Sequence, residues 1–215
     1  MVYLLISAIA IVIIGVIDDF RPLCARRRFI LQALAAGLLC WKGGVLLIDF
    51  GNLFGLGHLS LSPSAALFFT PITIIGMINA INMLDGVDGL ATSLGVFALV
   101  CFIILPEVDG TLFYINCCVI SGLLPLYYFN FRKNNKVFMG DAGSLFLGSL
   151  LAINTFSFLN IPLSESFNFN PTLISMVILF YPLIDLLRVF FIRIRNKKSP
   201  FIADTNHLHH YLLGY

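Results

Sequence analysis

The chain has 215 residues, 59 % hydrophobic and 11 % charged, with a net charge of +2 and a mean hydropathy of +0.96. An average soluble domain carries roughly 25 % charged residues, so this composition excludes both a water-soluble globule and a disordered chain. An integral membrane protein remains, and the net charge is too small to argue for a nucleic-acid partner. Five cysteines (Cys24, Cys40, Cys101, Cys117 and Cys118) show no C-x-x-C spacing and read as unpaired thiols.

A membrane-crossing helix needs about 20 mostly apolar residues. Taken in chain order, apolar runs cover residues 2–17, 29–48, 64–82, 89–105, 111–129, 142–159 and 172–192. Residues 1–3 show no basic leader, so no cleavable signal peptide is expected. The second run contains Trp41-Lys42-Gly43-Gly44, where the helix is expected to end and a Gly-rich loop to begin. The fold class is therefore all-α: a polytopic membrane helix bundle of about seven spans, forming one domain over residues 1–215 without an internal repeat.

Loop charges orient the bundle. Arg21, Arg26, Arg27 and Arg28 follow the first run, and Arg132, Lys133 and Lys136 follow the fifth. Arg188, Arg193, Arg195, Lys197 and Lys198 gather at the end of the seventh. All of the 13 basic residues except Lys42 thus fall on one side, which the positive-inside rule assigns to the cytoplasm. The N-terminus is then outside. Asp49, Glu107, Asp109 and Glu165 lie in outer loops, whereas Asp18, Asp19, Asp85, Asp88, Asp141 and Asp204 map to the cytoplasmic face. Carboxylates at the ends of spans are costly and mark candidate functional sites.

Four strings hold these groups. Asp18 and Asp19 close the first run; the pair reads equally as a functional pair and as interfacial charge balanced by nearby arginines. Asn79, Asn82, Asp85 and Asp88 recur every third residue, so on a helix they drift along one face. Two carboxamides and two carboxylates offer hard oxygen ligands suited to Mg²⁺ or a sugar phosphate, and four polar residues exceed what a helix end requires. Asp141 and Ser144 bracket an expected helix start whose free N–H groups attract phosphate, although Asp141 alone reads as an N-cap. Arg193 and its basic neighbours lead into His207-Leu208-His209-His210, which fits a diphosphate beside a hard cation.

In this order on a polytopic chain, the strings resemble the polyprenyl-phosphate N-acetylhexosamine-1-phosphate transferases. The likeness runs from Asp18-Asp19, through Arg28-Phe29-Ile30-Leu31-Gln32, to the H-x-H-H string, and points to the branch taking a simple UDP-N-acetylhexosamine. The resemblance implies transfer of sugar-1-phosphate from a UDP-sugar to undecaprenyl phosphate, with UMP released, as the first membrane step of surface polysaccharide synthesis. It places the enzyme in the bacterial inner membrane with its site on the cytoplasmic face. It implies a Mg²⁺ cofactor, for which Mn²⁺ can substitute, held by Asp141 and Asn82. It assigns Asp18 and Asp19 to catalysis, and Asn79, Asp85, Asp88 and Phe138 to the nucleotide. Arg193, His207, His209 and His210 fall on the phosphate and sugar side. Membrane lipid is a partner, and a homodimer is an open option. Thr205 departs from the family, which often has a basic residue there, and family members are longer at both ends. The alternatives are an inactive fragment of such an enzyme, a muramoyl-pentapeptide-type transferase, and a transporter, which would carry its acids near the bilayer midplane.

Overall fold

The computed structural model describes residues 2–53, 57–105, 110–160 and 170–195. Eight helices and one short hairpin account for them: α1 (Val2–Phe20), α2 (Ala25–Gly43), β1 (Asp49–Asn52), β2 (His58–Ser60), α3 (Pro63–Leu84), α4 (Leu90–Ile104), α5 (Gly110–Asn130), α6 (Gly140–Leu159), α7 (Pro171–Ile178) and α8 (Phe180–Arg195). The strands pair antiparallel, with Asp49 opposite Ser60 and Asn52 opposite His58. Every apolar run forms a helix or a pair of helices. α2 stops at Gly43, and Gly44 takes the left-handed conformation (φ 70°) that ends a helix at little cost for glycine. At α3 the Ser62 hydroxyl accepts the Ala65 N–H at 3.3 Å, and Pro63 stands first, where no N–H is needed.

The expected count of seven spans is not confirmed among the described residues. By length and composition, three described helices can cross a membrane: α3, α5 and α6. A fourth is counted only if α7 and the first part of α8 form one span, and these are bent by 74°. α4 has 15 residues, about 22 Å at 1.5 Å per residue, against a hydrocarbon core near 30 Å. α2 opens on Arg26–Arg28 and is far less apolar than its neighbours. The break in the last run follows from Pro182, whose ring crowds the carbonyl four residues back, at Ile178, where α7 ends.

α6 is the centre of the bundle, packed most extensively against α1 and α3. Glycines permit that closeness. A Cβ on Gly15 would sit 2.5 Å from Ala142 Cα, and one on Gly148 would sit 2.7 Å from Ile78 Cα. Small residues at such crossings are how membrane helices gain packing without a hydrophobic drive between them. The C-terminal ends of α1 and α3 and the N-terminal end of α6 consequently meet at one end of the bundle.

Candidate active site

At that end, two adjacent carboxylates are put to different uses. Asp18 is buried; it accepts the Leu23 N–H at 2.6 Å and an Arg28 Nη1 hydrogen at 3.1 Å. Burial without partners would penalise its charge heavily, and the guanidinium and amide offset that. Asp19 is exposed and reaches across to α6, where its two oxygens accept the N–H groups of Asp141 (2.7 Å) and Ala142 (3.0 Å). A residue of α1 therefore caps α6 from outside. Gly140 makes room for it: its φ is +72°, and a Cβ there would lie 3.1 Å from Asp19 Oδ1.

With the cap supplied by Asp19, Asp141 is released from that duty. Its Oδ1 accepts the Asn82 amide hydrogen at 2.5 Å and lies 3.9 Å from Arg28 Nη1. Asn82 also donates to Ser144 Oγ at 2.8 Å. The reading of Asp141 as a simple N-cap is thus not what the structure shows. The α6 amides expected to face a phosphate are, for Asp141 and Ala142, turned to Asp19 instead.

Asp85 ends α3 beside this group. Burial pushes its carboxyl up to about 6, the Gly140 N–H pulls it down, and the charges of Asp141 and Asp19 push it up further. A site where two carboxylates crowd a third, half-buried one has room for more positive charge, which a divalent cation would supply. Among the described residues no three His, Cys, Asp or Glu side chains gather closely enough to cage a metal. The available donors, the Asp141 carboxylate, the Asn82 amide oxygen after a half-turn of the amide, and the Ser144 hydroxyl, are hard and few. That set suits Mg²⁺, which commonly takes one or two carboxylates and completes its shell with water and substrate phosphates.

The other expected residues are placed as follows. Asn79 lies deeper, one turn before Asn82, and gives its amide hydrogens to Gln32 Oε1 and the Ile75 carbonyl, both at 2.8 Å. Asp88 is ion-paired with Lys136, and Lys136 Nζ stands 5.0 Å above the exposed ring of Phe138. Arg193 lies on α8, but its side chain is outside the described residues, as are His207, His209 and His210. Asp18, Asp19, Asn82, Asp85 and Asp141 are brought together; Asp88 and Phe138 form a second group through Lys136.

Comparison with known proteins gives the family. The model of glycosyl transferase family 4 matches residues 1–159. The chain belongs to that family. It is 32 % identical over 226 residues to a decaprenyl-phosphate N-acetylglucosaminephosphotransferase of Mycobacterium leprae, covering 97 % of this chain and 56 % of the relative. It is 31 % identical over 218 residues to a probable undecaprenyl-phosphate N-acetylglucosaminyl 1-phosphate transferase of Bacillus subtilis, covering 98 % and 57 %. Against the undecaprenyl-phosphate alpha-N-acetylglucosaminyl 1-phosphate transferase of Escherichia coli K12 it is 30 % identical over 208 residues, covering 94 % and 55 %. This glycosyl transferase family 4 chain thus spans a little over half the length of these relatives.

Several residues that matter here carried no assignment from sequence. Arg28 and Gln32 sit four apart, so one face of α2 presents Arg28 to Asp18 and Asp141 and Gln32 to Asn79. That spacing was the available signal. Asn130 and Lys136 had no local signature. Asp185, buried in α8 and 3.6 Å from Arg188, is a carboxylate inside an apolar run, and its i, i+3 spacing to an arginine was readable.

Proposed function

We propose that this chain carries the active site of a transferase moving N-acetylhexosamine-1-phosphate, with N-acetylglucosamine as the sugar, from a UDP-sugar to undecaprenyl phosphate. UMP is the second product, and the step opens surface polysaccharide synthesis at the cytoplasmic face of a bacterial inner membrane. The observation that carries this reading is the meeting of Asp18, Asp19, Asn82, Asp141 and Arg28, from four helices, at one end of a membrane bundle. The names of the three relatives, all N-acetylglucosamine enzymes, support the simple amino sugar over a muramoyl-pentapeptide. A homodimer belongs to the same proposal.

The chemistry needs what this end of the bundle offers. A lipid phosphate oxygen attacks the phosphorus that bears the sugar; a new P–O bond forms, the bond to the bridging oxygen breaks, and UMP leaves with that oxygen. Bringing two negative charges to 5 Å costs roughly 3 kcal/mol at an effective dielectric of 20. Arg28 stands between Asp18 and Asp141 and lowers that cost for a phosphate beside them. Asp18 or Asp19 has only to ensure that the attacking phosphate is deprotonated, or to orient it. Asp141 and Asn82 would hold Mg²⁺, which when bound neutralises diphosphate charge and favours the departing UMP. Asp85, Asp88, Asn79 and Phe138 are assigned to the nucleotide, and Arg193, His207, His209 and His210 to the diphosphate and sugar.

The test uses membranes lacking any native transferase and containing this chain, supplied with UDP-N-acetylglucosamine, undecaprenyl phosphate and Mg²⁺. UMP release with matching lipid-linked sugar is expected. Asp141→Asn and Asn82→Ala should abolish it and its Mg²⁺ response, whereas Asp49→Asn, in the hairpin at the opposite end, should leave it unchanged. Equal turnover by Asp141→Asn and the parent would remove Asp141 from the site.

A further inference from the structure

Asn130 is the last residue of α5 and by sequence an ordinary helix end. Its side chain is buried, yet it does not turn back to its own helix. Its Oδ1 accepts the Gly89 N–H at 2.5 Å, and its Nδ2 donates to the Val137 carbonyl at 2.9 Å. One amide thus ties together two segments 48 residues apart: the turn that opens α4 and the loop that leads into α6. A short polar side chain with both ends satisfied by backbone is a stiff spacer, because neither bond can lengthen without leaving a buried group unpaired.

The neighbours of those two backbone groups give the spacer its meaning. Asp88 precedes Gly89 and Phe138 follows Val137, and Lys136 spans the gap by pairing with Asp88 while standing over the Phe138 ring. Gly89 cannot be varied without cost, since its φ is +71° and a Cβ would come within 2.2 Å of the Phe131 ring. Phe131 is held in turn by Tyr127, their ring centroids 4.9 Å apart. The end of α5 therefore fixes both walls of the Asp88–Phe138 group from behind.

We propose that Asn130 is a positioning residue that sets the distance between Asp88 and Phe138, and through it the fit of the nucleotide part of the UDP-sugar. The inference rests on the functional reading above. Asn130 does not itself have to touch the ligand, because both polar atoms are spent on the backbone.

The experiment uses the purified full chain in detergent with UDP-N-acetylglucosamine as the probe. Affinity is read by equilibrium dialysis, and amide hydrogen exchange is followed over residues 86–90 and 134–139. Asn130→Ala should bind at least about tenfold more weakly, equivalent to about 1.4 kcal/mol, and both segments should exchange faster. Asn130→Asp keeps an acceptor for Gly89 and loses the donor to Val137; it should fall between, and it decides the matter if Asn130→Ala does not fold. Asn116→Ala is the structural control. It breaks the buried Asn116–Asn154 amide pair (2.7 and 3.0 Å) on the same helix, and should lower the melting temperature while leaving the affinity of the folded protein unchanged. An Asn130→Ala affinity within about twofold of the parent, or an equal loss in Asn116→Ala, would overturn the positioning role. Failure of the parent to bind UDP-N-acetylglucosamine would instead overturn the functional reading.

Discussion

Asp85 shows how much of this site is set by one residue's surroundings. Its folded-state pKa of about 6 lies above the ordinary value of 3.8, first because it is buried and then because Asp141 and Asp19 are close. The sign follows directly. Below pH 4 the carboxyl is neutral in folded and unfolded chains alike; between 4 and 6 the unfolded chain ionises it while the folded chain resists. The group therefore favours folding at low pH, and that contribution is lost as pH rises through about 6. In metal-free buffer, Asp85→Asn should gain thermal stability relative to the parent over this window and hold the gain above it. A constant difference from pH 4 to 7 would show that Asp85 is not perturbed. At the same scale, Asp18 and Asp19 are adjacent in sequence but differ in partner: Asp18 is held by Arg28 within its own corner, and Asp19 is committed to α6.

Among the elements, α6 decides the architecture, since it approaches α1 through Gly15 and α3 through Gly148. Gly148→Ala places a methyl 2.7 Å from the Ile78 Cα and 3.1 Å from its carbonyl oxygen, neither of which can swing aside. A loss of about 1–3 kcal/mol is expected. At Gly37 in α2 and Gly122 in α5 an added methyl would meet no atom within 4 Å, so alanine there should instead add roughly 0.5–1 kcal/mol from helix propensity. Chemical denaturation in detergent checks all three, and a stabilised Gly148→Ala would mean that α3 and α6 do not cross at this point. The helices themselves were legible in the sequence because apolar runs and glycine stops act locally, as at Gly43-Gly44. The break between α7 and α8 was harder to read, because α3 and α5 carry Pro71 and Pro125 without breaking. The carboxylate strings were visible by their spacing, whereas the contact of Arg28 with Asp141 and the bond from Asn130 to Gly89 join residues far apart in sequence and depend on packing alone.

The whole molecule has two distinct ends. One holds Asp18, Asp19, Asn82, Asp141 and the arginines that open α2. The other holds the β1–β2 hairpin, which is tied to the start of α7: Asn170 caps α7 and donates to the Phe50 carbonyl at 3.1 Å. Lys42, the basic residue that the loop-charge pattern left on the outer side, stands 4.4 Å over Trp41 near this hairpin end, an arrangement suited to a membrane–water boundary. A soluble UDP-sugar is made in the cytoplasm, so the functional proposal requires the first end to face inward. Cys24, exposed at the start of α2, reports on that end. In a chain whose other four cysteines are replaced, Cys24 should resist a membrane-impermeant thiol reagent on intact cells and react once they are opened. A cysteine at Ser60, in the exposed β2 strand, should show the reverse, labelling before the cells are opened. Labelling of Cys24 on intact cells would put the carboxylate cluster outside, where neither the cytoplasmic nucleotide nor the loop charges could account for it, and the proposed reaction would fall with the orientation.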